Sequence, residues 1–228
     1  MTKKHDEPFN GFSPETFRFF KDLGENNNKP WFDEHKYVYE LELLQPLKAL
    51  LTAMVPAMYE VDNRIDFRPA RTISRIYRDT RFSHDKSPYK THMWMTFQRL
   101  VPDWQNFPAF FMELSAEGYQ YGMGLYGSKK KIMDDFREKV EYESDIFRKI
   151  TQDLTGKHKF SLGGELYKRP LINNLPDYFQ PWMQRKSVYL IKSSPIGDEL
   201  LNAGFAQLLA GEFALMKSLY EFLADVCE

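Results

Sequence analysis

The 228-residue chain has one cysteine, Cys227, and only five histidines, and no run approaches the ~18 apolar residues of a membrane span. A single thiol excludes an intrachain disulfide and suits a reducing cytosol. The opening MTKKHDEPFN contains no apolar stretch of the secretory kind. The expected location is therefore cytoplasmic, with no membrane partner. Charge of one sign is also missing. Thirty-one Lys and Arg face 32 Asp and Glu, a formal net of −1. Non-specific nucleic-acid binding normally shows in the overall balance, so the net charge does not support nucleic acid as a partner and leaves only a local patch for it. No Gly-x-Ser-x-Gly nucleophile turn occurs, and none of His5, His35, His84, His92 and His158 forms the paired spacing of a helical zinc site.

Aromatic residues, by contrast, are dense: 19 Phe, 13 Tyr and 4 Trp, 16% of the chain. Most recur at core spacing, which predicts an interior built from rings rather than stacking platforms for bases or sugars. Residues 1–8 are polar and read as a disordered tail. Ser13-Pro14-Glu15 reads as a helix start, ended by Gly24 and Asn26–Asn28. Pro30 opens a second helix, and Pro46 interrupts it or starts a third towards Met58.

The pattern then turns to strands, at Thr72–Tyr77, Met93–Phe97, Ala109–Leu114 and Tyr119–Tyr126, with Ser-Ala-Glu-Gly as a hairpin turn after Leu114. Ser128 is expected to cap one long helix from Lys129 to about Leu154. A glycine-containing strand pair at His158–Lys168, a short helix at Asp177–Gln184 and a strand at Val188–Lys192 follow. Leu201, Phe205, Leu209, Phe213, Met216, Tyr220 and Leu223 then form one apolar stripe. The prediction is a single α+β domain over residues 9–228. A mainly antiparallel sheet of about four strands packs against several helices, with a long C-terminal helix.

The most informative stretch is Arg68–Lys90. Arg68, Arg71, Arg75, Arg78, Arg81, Lys86 and Lys90 stand there against Asp79 and Asp85, seven cations minus two carboxylates, a local net of +5. Guanidinium forks fit phosphate and carboxylate oxygens in pairs. Arg75, Arg78, Arg81, Lys86 and Lys90 are the candidate charge donors, with Tyr89 orienting the ligand. Asp79, His84 and Asp85 are the candidate catalytic residues, Asp79 holding an arginine in place and Asp85 or His84 carrying a proton. Pro88 stiffens the loop. The expected ligand is a phosphate-bearing small molecule. The alternative is a non-catalytic interaction module whose basic loop is a structural ion-pair network or docks an acidic partner. In the network reading, Asp134, Asp135 and Glu138 of the long helix supply further carboxylates. An extended Thr72–Tyr77 places Arg71, Ile73, Arg75 and Tyr77 on one face.

Other motifs carry less. Gly122-Met-Gly-Leu-Tyr-Gly127 matches Gly-x-Gly-x-x-Gly, but no parallel strand with an acidic residue follows at the distance a dinucleotide site needs. No cofactor is expected, and the glycines read as a twisted strand or a close backbone approach. His84, Asp85, Asp79 and Glu113 could converge on a cation, but the neighbouring arginines oppose one, so no metal is assigned. Cys227 has no adjacent basic residue to activate it.

Three stretches resemble a family of uncharacterised bacterial and fungal proteins, domain of unknown function 2461. They are Leu23–Tyr39 with Asn27, Asn28, Trp31 and Phe32; Arg75–Ser83 continuing to Asp85–Lys90; and Gly122–Tyr126, with Lys168-Arg169-Pro170 and Lys186-Ser187 further on. The resemblance covers nearly all of the chain after Phe9. His84 stands where that family usually has lysine, and Pro30 where it usually has an acidic residue. The resemblance implies a compact α+β domain and carries no established activity.

Overall fold

A computed structural model describes residues 8–81, 84–127 and 129–228. Ser13 starts α1 (Pro14–Glu25) through a reciprocal capping box with Thr16. Asn28 caps α2 (Lys29–Val38) by accepting from the Trp31 N–H. A π-helical turn, Tyr39–Leu44, then leads into α3 (Gln45–Val61), which has a proline in its first turn. The π turn has a local cause. Thr16 donates its hydroxyl to the Glu42 carbonyl at 2.5 Å, and Ser13 donates to the Glu42 carboxylate at 2.6 Å. Residue 46, which would donate to the Glu42 carbonyl in a regular helix, is a proline without an N–H, and the Thr16 hydroxyl supplies that carbonyl's donor instead.

The strands are β1 (His92–Phe97), β2 (Ala109–Ser115), β3 (Gly118–Leu125), β4 (Ser161–Gly163) and β5 (Val188–Pro195). They form one antiparallel sheet in the order β1-β2-β3-β5-β4, in an α+β fold. The expected strand at Thr72–Tyr77 is not one. Pro69 instead opens a single helical turn, α4 (Pro69–Thr72), with the Ile73 N–H bonded to the Pro69 carbonyl. Only isolated bridges remain, Ile73 to Met95 and Tyr77 to Tyr89. Ile73 and Ile76 are both buried, a spacing of three that breaks the expected alternation.

The expected long helix is two helices, α5 (Lys130–Tyr142) and α6 (Ser144–Gly156), broken at Glu143. Packing explains the break. Eleven residues of straight helix would hold Phe136 and Phe147 about 16 Å apart. Their ring centroids are 5.7 Å apart in an edge-to-face contact. The expected cap, Ser128, lies outside the described residues. The strand pair at His158–Lys168 reduces to β4 and a bridge from Leu166 to Arg185. The short helix is α7 (Gln180–Met183).

The apolar stripe at the C-terminus is real, but Met216 divides it into α8 (Gly204–Leu215) and α9 (Lys217–Asp225). Phe205, Leu209, Phe213, Met216, Tyr220 and Leu223 are all buried. Leu201 lies outside the stripe, in a 3-10 turn, where Leu200 takes the buried position.

The glycine run of β3 serves strand packing. A Cβ on Gly124 would stand 2.3 Å from the Val188 carbonyl oxygen, so only glycine permits this approach. Tyr126 stacks on Tyr189 at 4.7 Å. Among the described residues no helix is long and apolar enough to cross a membrane.

Packing gathers the described residues into two compact units. One draws on Met1–Phe97, Phe111–Gln120 and Ser193–Gly211. Its core includes Phe20, Leu23, Phe32, Leu47, Met54 and Met93. The other draws on Gln98–Phe110, Tyr121–Lys192 and Glu212–Glu228, around Phe110, Phe136, Phe147 and Tyr220. Both interiors are ring-rich. Phe110 lies 5.0 Å from Phe213 and 5.2 Å from Tyr220.

Candidate functional site

The basic segment is closed at its base like a hairpin. The Arg78 N–H donates to the Pro88 carbonyl at 2.9 Å, and the Lys90 N–H to the Ile76 carbonyl at 2.8 Å. Tyr77 and Tyr89 face each other between these bonds, with ring centroids 5.4 Å apart. Tyr89 is buried and stacks on Phe32 of α2 at 4.1 Å.

Its peptide groups are claimed by a side chain. Asn27 donates Nδ2 to the Tyr89 carbonyl and accepts the Tyr89 N–H on Oδ1, both at 3.0 Å. This is the two-bond pattern of an adjacent strand, made by one amide. Tyr39, at the start of the π turn, packs on Phe32 at 5.6 Å. Burial, with Tyr77 and Glu40 adding, raises its hydroxyl to about 12.

The two aspartates of the loop are held by arginines. Arg81 bonds both oxygens of Asp79, at 3.0 and 2.7 Å, and this pairing lowers the Asp79 carboxyl to about 2. Asp85 accepts the Ser87 N–H at 2.9 Å and pairs with Arg78 at 3.1 Å. The Ser87 bond first and the Arg78 charge second hold it below the usual carboxylate range. Asp79 and Asp85 are therefore anions that brace arginines, a poor state for donating protons. His84 is exposed. Arg68 is held separately by Asp66, at 2.6 Å.

Lys90 and Lys86 bond to backbone carbonyls of the segment. The Lys90 ammonium donates to the Arg75 carbonyl at 2.7 Å and lies 4.3 Å from the centre of the Trp94 ring. Lys86 reaches the Thr80 carbonyl at 2.8 Å. Partial burial, with the charges of Arg75 and Arg78 adding, lowers the Lys90 ammonium from its ordinary value. Arg75, Arg78 and Lys90 thus form a like-charged group. Arg78 is mostly buried, and its Nε is shut off from solvent with no hydrogen-bond partner among the described residues. One Nη reaches Asp85 and, at 3.4 Å, the Tyr89 carbonyl.

Of the residues singled out from sequence, Arg75, Arg78 and Lys90 act as one group, and Arg81 is engaged by Asp79. Tyr89 serves through its backbone and ring as an anchor. Asp134 and Asp135 are engaged by their own helix, through Lys130 with Arg137 and through Lys131. Asn27 and Trp94 were not picked out as site residues. Asn27 stands in a run read as a helix terminator and as part of the family resemblance, and Trp94 sits on the half-exposed face of β1 with His92. Among the described residues no group of three His, Cys, Asp or Glu side chains is gathered to hold a metal. Cys227 does have a cation within range, Arg99, but burial outweighs it and pushes the thiol up to about 12.

The profile of the family described as conserved hypothetical protein (DUF2461) matches residues 15–222, and the chain belongs to that family. No curated protein matches it.

Proposed function

We propose that the segment Arg75–Lys90 binds a phosphate-type anion, with Arg78 at the centre and Arg75 and Lys90 beside it. The observation that carries this reading is the buried Arg78 Nε, which has no partner among the described residues. A buried donor without an acceptor costs about 1–3 kcal/mol, and an anionic oxygen would satisfy it with a charge-assisted bond. The lowered Lys90 ammonium supports the same reading, because an anion among three cations relieves their repulsion. Lys86 and Arg81 lie on the exposed rim of the loop, where their charge draws an anion in. The Asn27 clamp and the Tyr89–Phe32 stack pre-order the loop, which lowers the entropy lost on binding.

Calorimetric titration with phosphate, pyrophosphate and sulfate tests the proposal. Saturable binding is expected, and Arg78→Gln should remove it while leaving the fold intact. Absence of saturable binding in the unmodified chain would overturn it. A second reading, a purely structural ion-pair network, is favoured by the Asp79–Arg81 and Asp85–Arg78 pairs. It predicts that Arg78→Gln loses stability with no anion affinity to lose.

A further inference from the structure

The loop over residues 168–176 is held by side-chain amides. Gln184 donates Nε2 to the Leu171 carbonyl at 2.8 Å and accepts the Leu171 N–H on Oε1 at 2.7 Å. Gln180 donates to Asn173 Oδ1 at 2.8 Å and to the Leu175 carbonyl at 2.7 Å, and Asn173 donates back to Gln180 at 3.0 Å. Between these anchors Ile172 is 100% exposed. Single exposed apolar residues are ordinary on protein surfaces. A fully exposed one on a backbone tied down on both sides is different, because its docking costs little further ordering. Lys168 and Arg169, just before it, are exposed and have no ion-pair partner among the described residues.

The same compact unit carries a surface that complements this tip. A groove of about 830 Å³ runs between α6 and α9. Its floor holds Leu154 and Phe222, and its rim exposes Ile146 and Leu215. Four carboxylates line it, Glu143, Asp153, Glu221 and Asp225, against Lys139 and Lys149. Lys139 is already held between Glu143 and Asp225, Lys217 approaches Glu221 only at 4.0 Å, and the lining as a whole has four carboxylates against two lysines. The tip is thus apolar with two cations, and the groove apolar with an anionic edge.

We propose that the loop tip of one copy of this chain docks in the α6–α9 groove of a second copy. Ile172 lies on the apolar floor, and Lys168 and Arg169 meet Asp153 and Glu221. A second copy is the occupant because both halves of the match, apolar and charged, are present on one polypeptide. Such a contact is screened by salt at its rim and retains its apolar centre.

Sedimentation velocity on the unmodified chain, from micromolar to near-millimolar concentration, is the test. Reversible self-association that weakens with added salt is expected. Ile172→Asp should abolish it without a change in circular dichroism, because that side chain touches nothing in the isolated chain. Asp153→Lys should abolish it independently. A joint Lys168→Glu, Arg169→Glu exchange should restore it only in combination with Asp153→Lys and Glu221→Lys. In a mixture of light and heavy isotope-labelled chains, carbodiimide should link Lys168 peptides of one label to Asp153 or Glu221 peptides of the other. A chain that stays monomeric throughout overturns the proposal, as does association that Ile172→Asp leaves unchanged.

Discussion

Arg78 and Arg137 each lie largely out of solvent beside an aspartate, and they are finished differently. Arg137 is 8% exposed, and every nitrogen of its fork is used. Nε donates to the Met183 carbonyl at 2.9 Å, one Nη to the Met133 carbonyl and Asp134 at 2.9 Å, and the other to the Arg185 carbonyl at 2.6 Å. It ties α5 to the end of α7 and to the chain entering β5. Arg78 has a carboxylate and one long carbonyl contact, and its Nε has no acceptor among the described residues. A saturated guanidinium is a fastener, since nothing can be added to it. An unsaturated one retains capacity for a ligand.

That contrast breaks most easily at Arg137. Arg137→Met removes the side-chain donor from the Met133, Met183 and Arg185 carbonyls and leaves Asp134 with Lys130 alone, and should cost about 3–5 kcal/mol in urea unfolding. A loss below about 1 kcal/mol would show that the carbonyls find other donors and that the contrast is only geometric. Next in size is Asn27→Ala, which removes the Tyr89 N–H's acceptor and leaves its carbonyl only the long Arg78 contact. A loss of about 2 kcal/mol is expected by the same measurement.

Arg78→Gln sharpens the comparison from the other side. Its stability should change by no more than about 1 kcal/mol, while phosphate affinity falls at least about tenfold.

The Lys90 ammonium gives a pH signature. Its folded pKa lies below the ordinary lysine value. Between the folded and unfolded values the unfolded chain therefore binds more protons, and stability rises with pH across that window. Phosphate affinity falls across the same window as the cation is lost. Lys90→Met should flatten both profiles, measured by chemical unfolding and by calorimetry at alkaline pH. The smallest effect belongs to Arg81→Ala, whose ion pair is exposed on both sides. A change within about 0.5 kcal/mol is expected.

The segments legible in the sequence were those with a local cause. Ser13-Pro14 sets a helix start that stands where the residues placed it, and Pro30 marks a second that begins one residue earlier, at Lys29, with Asn28, read as a terminator, as its cap. The alternation in β1 and the Ser-Ala-Glu-Gly turn mark strands that need no distant partner to be recognised. Failures came where distant packing decides. Glu143 and Met216 are ordinary helix formers, and the break at Glu143 lets Phe136 meet Phe147, a contact that periodicity does not announce. Thr72–Tyr77 has strand-like residues, but Pro69 and the burial of Ile73 and Ile76 override them. At the candidate site, the concentration of cations was legible because it is compositional. Which arginine is engaged and which retains an empty donor was not, because that depends on angles between side chains. Asn27 lies 62 residues from the peptide it holds, beyond any local pattern.

The Asn27 amide has a consequence for solubility. An uncovered N–H and C=O at a strand margin is a template on which another molecule's strand can add. Tyr89 offers such a pair, and one side chain fills both places without extending a ladder of its own. The amide is a stopper. It satisfies the margin as a strand would and presents no further row of donors and acceptors, so pairing ends there instead of propagating into the next molecule.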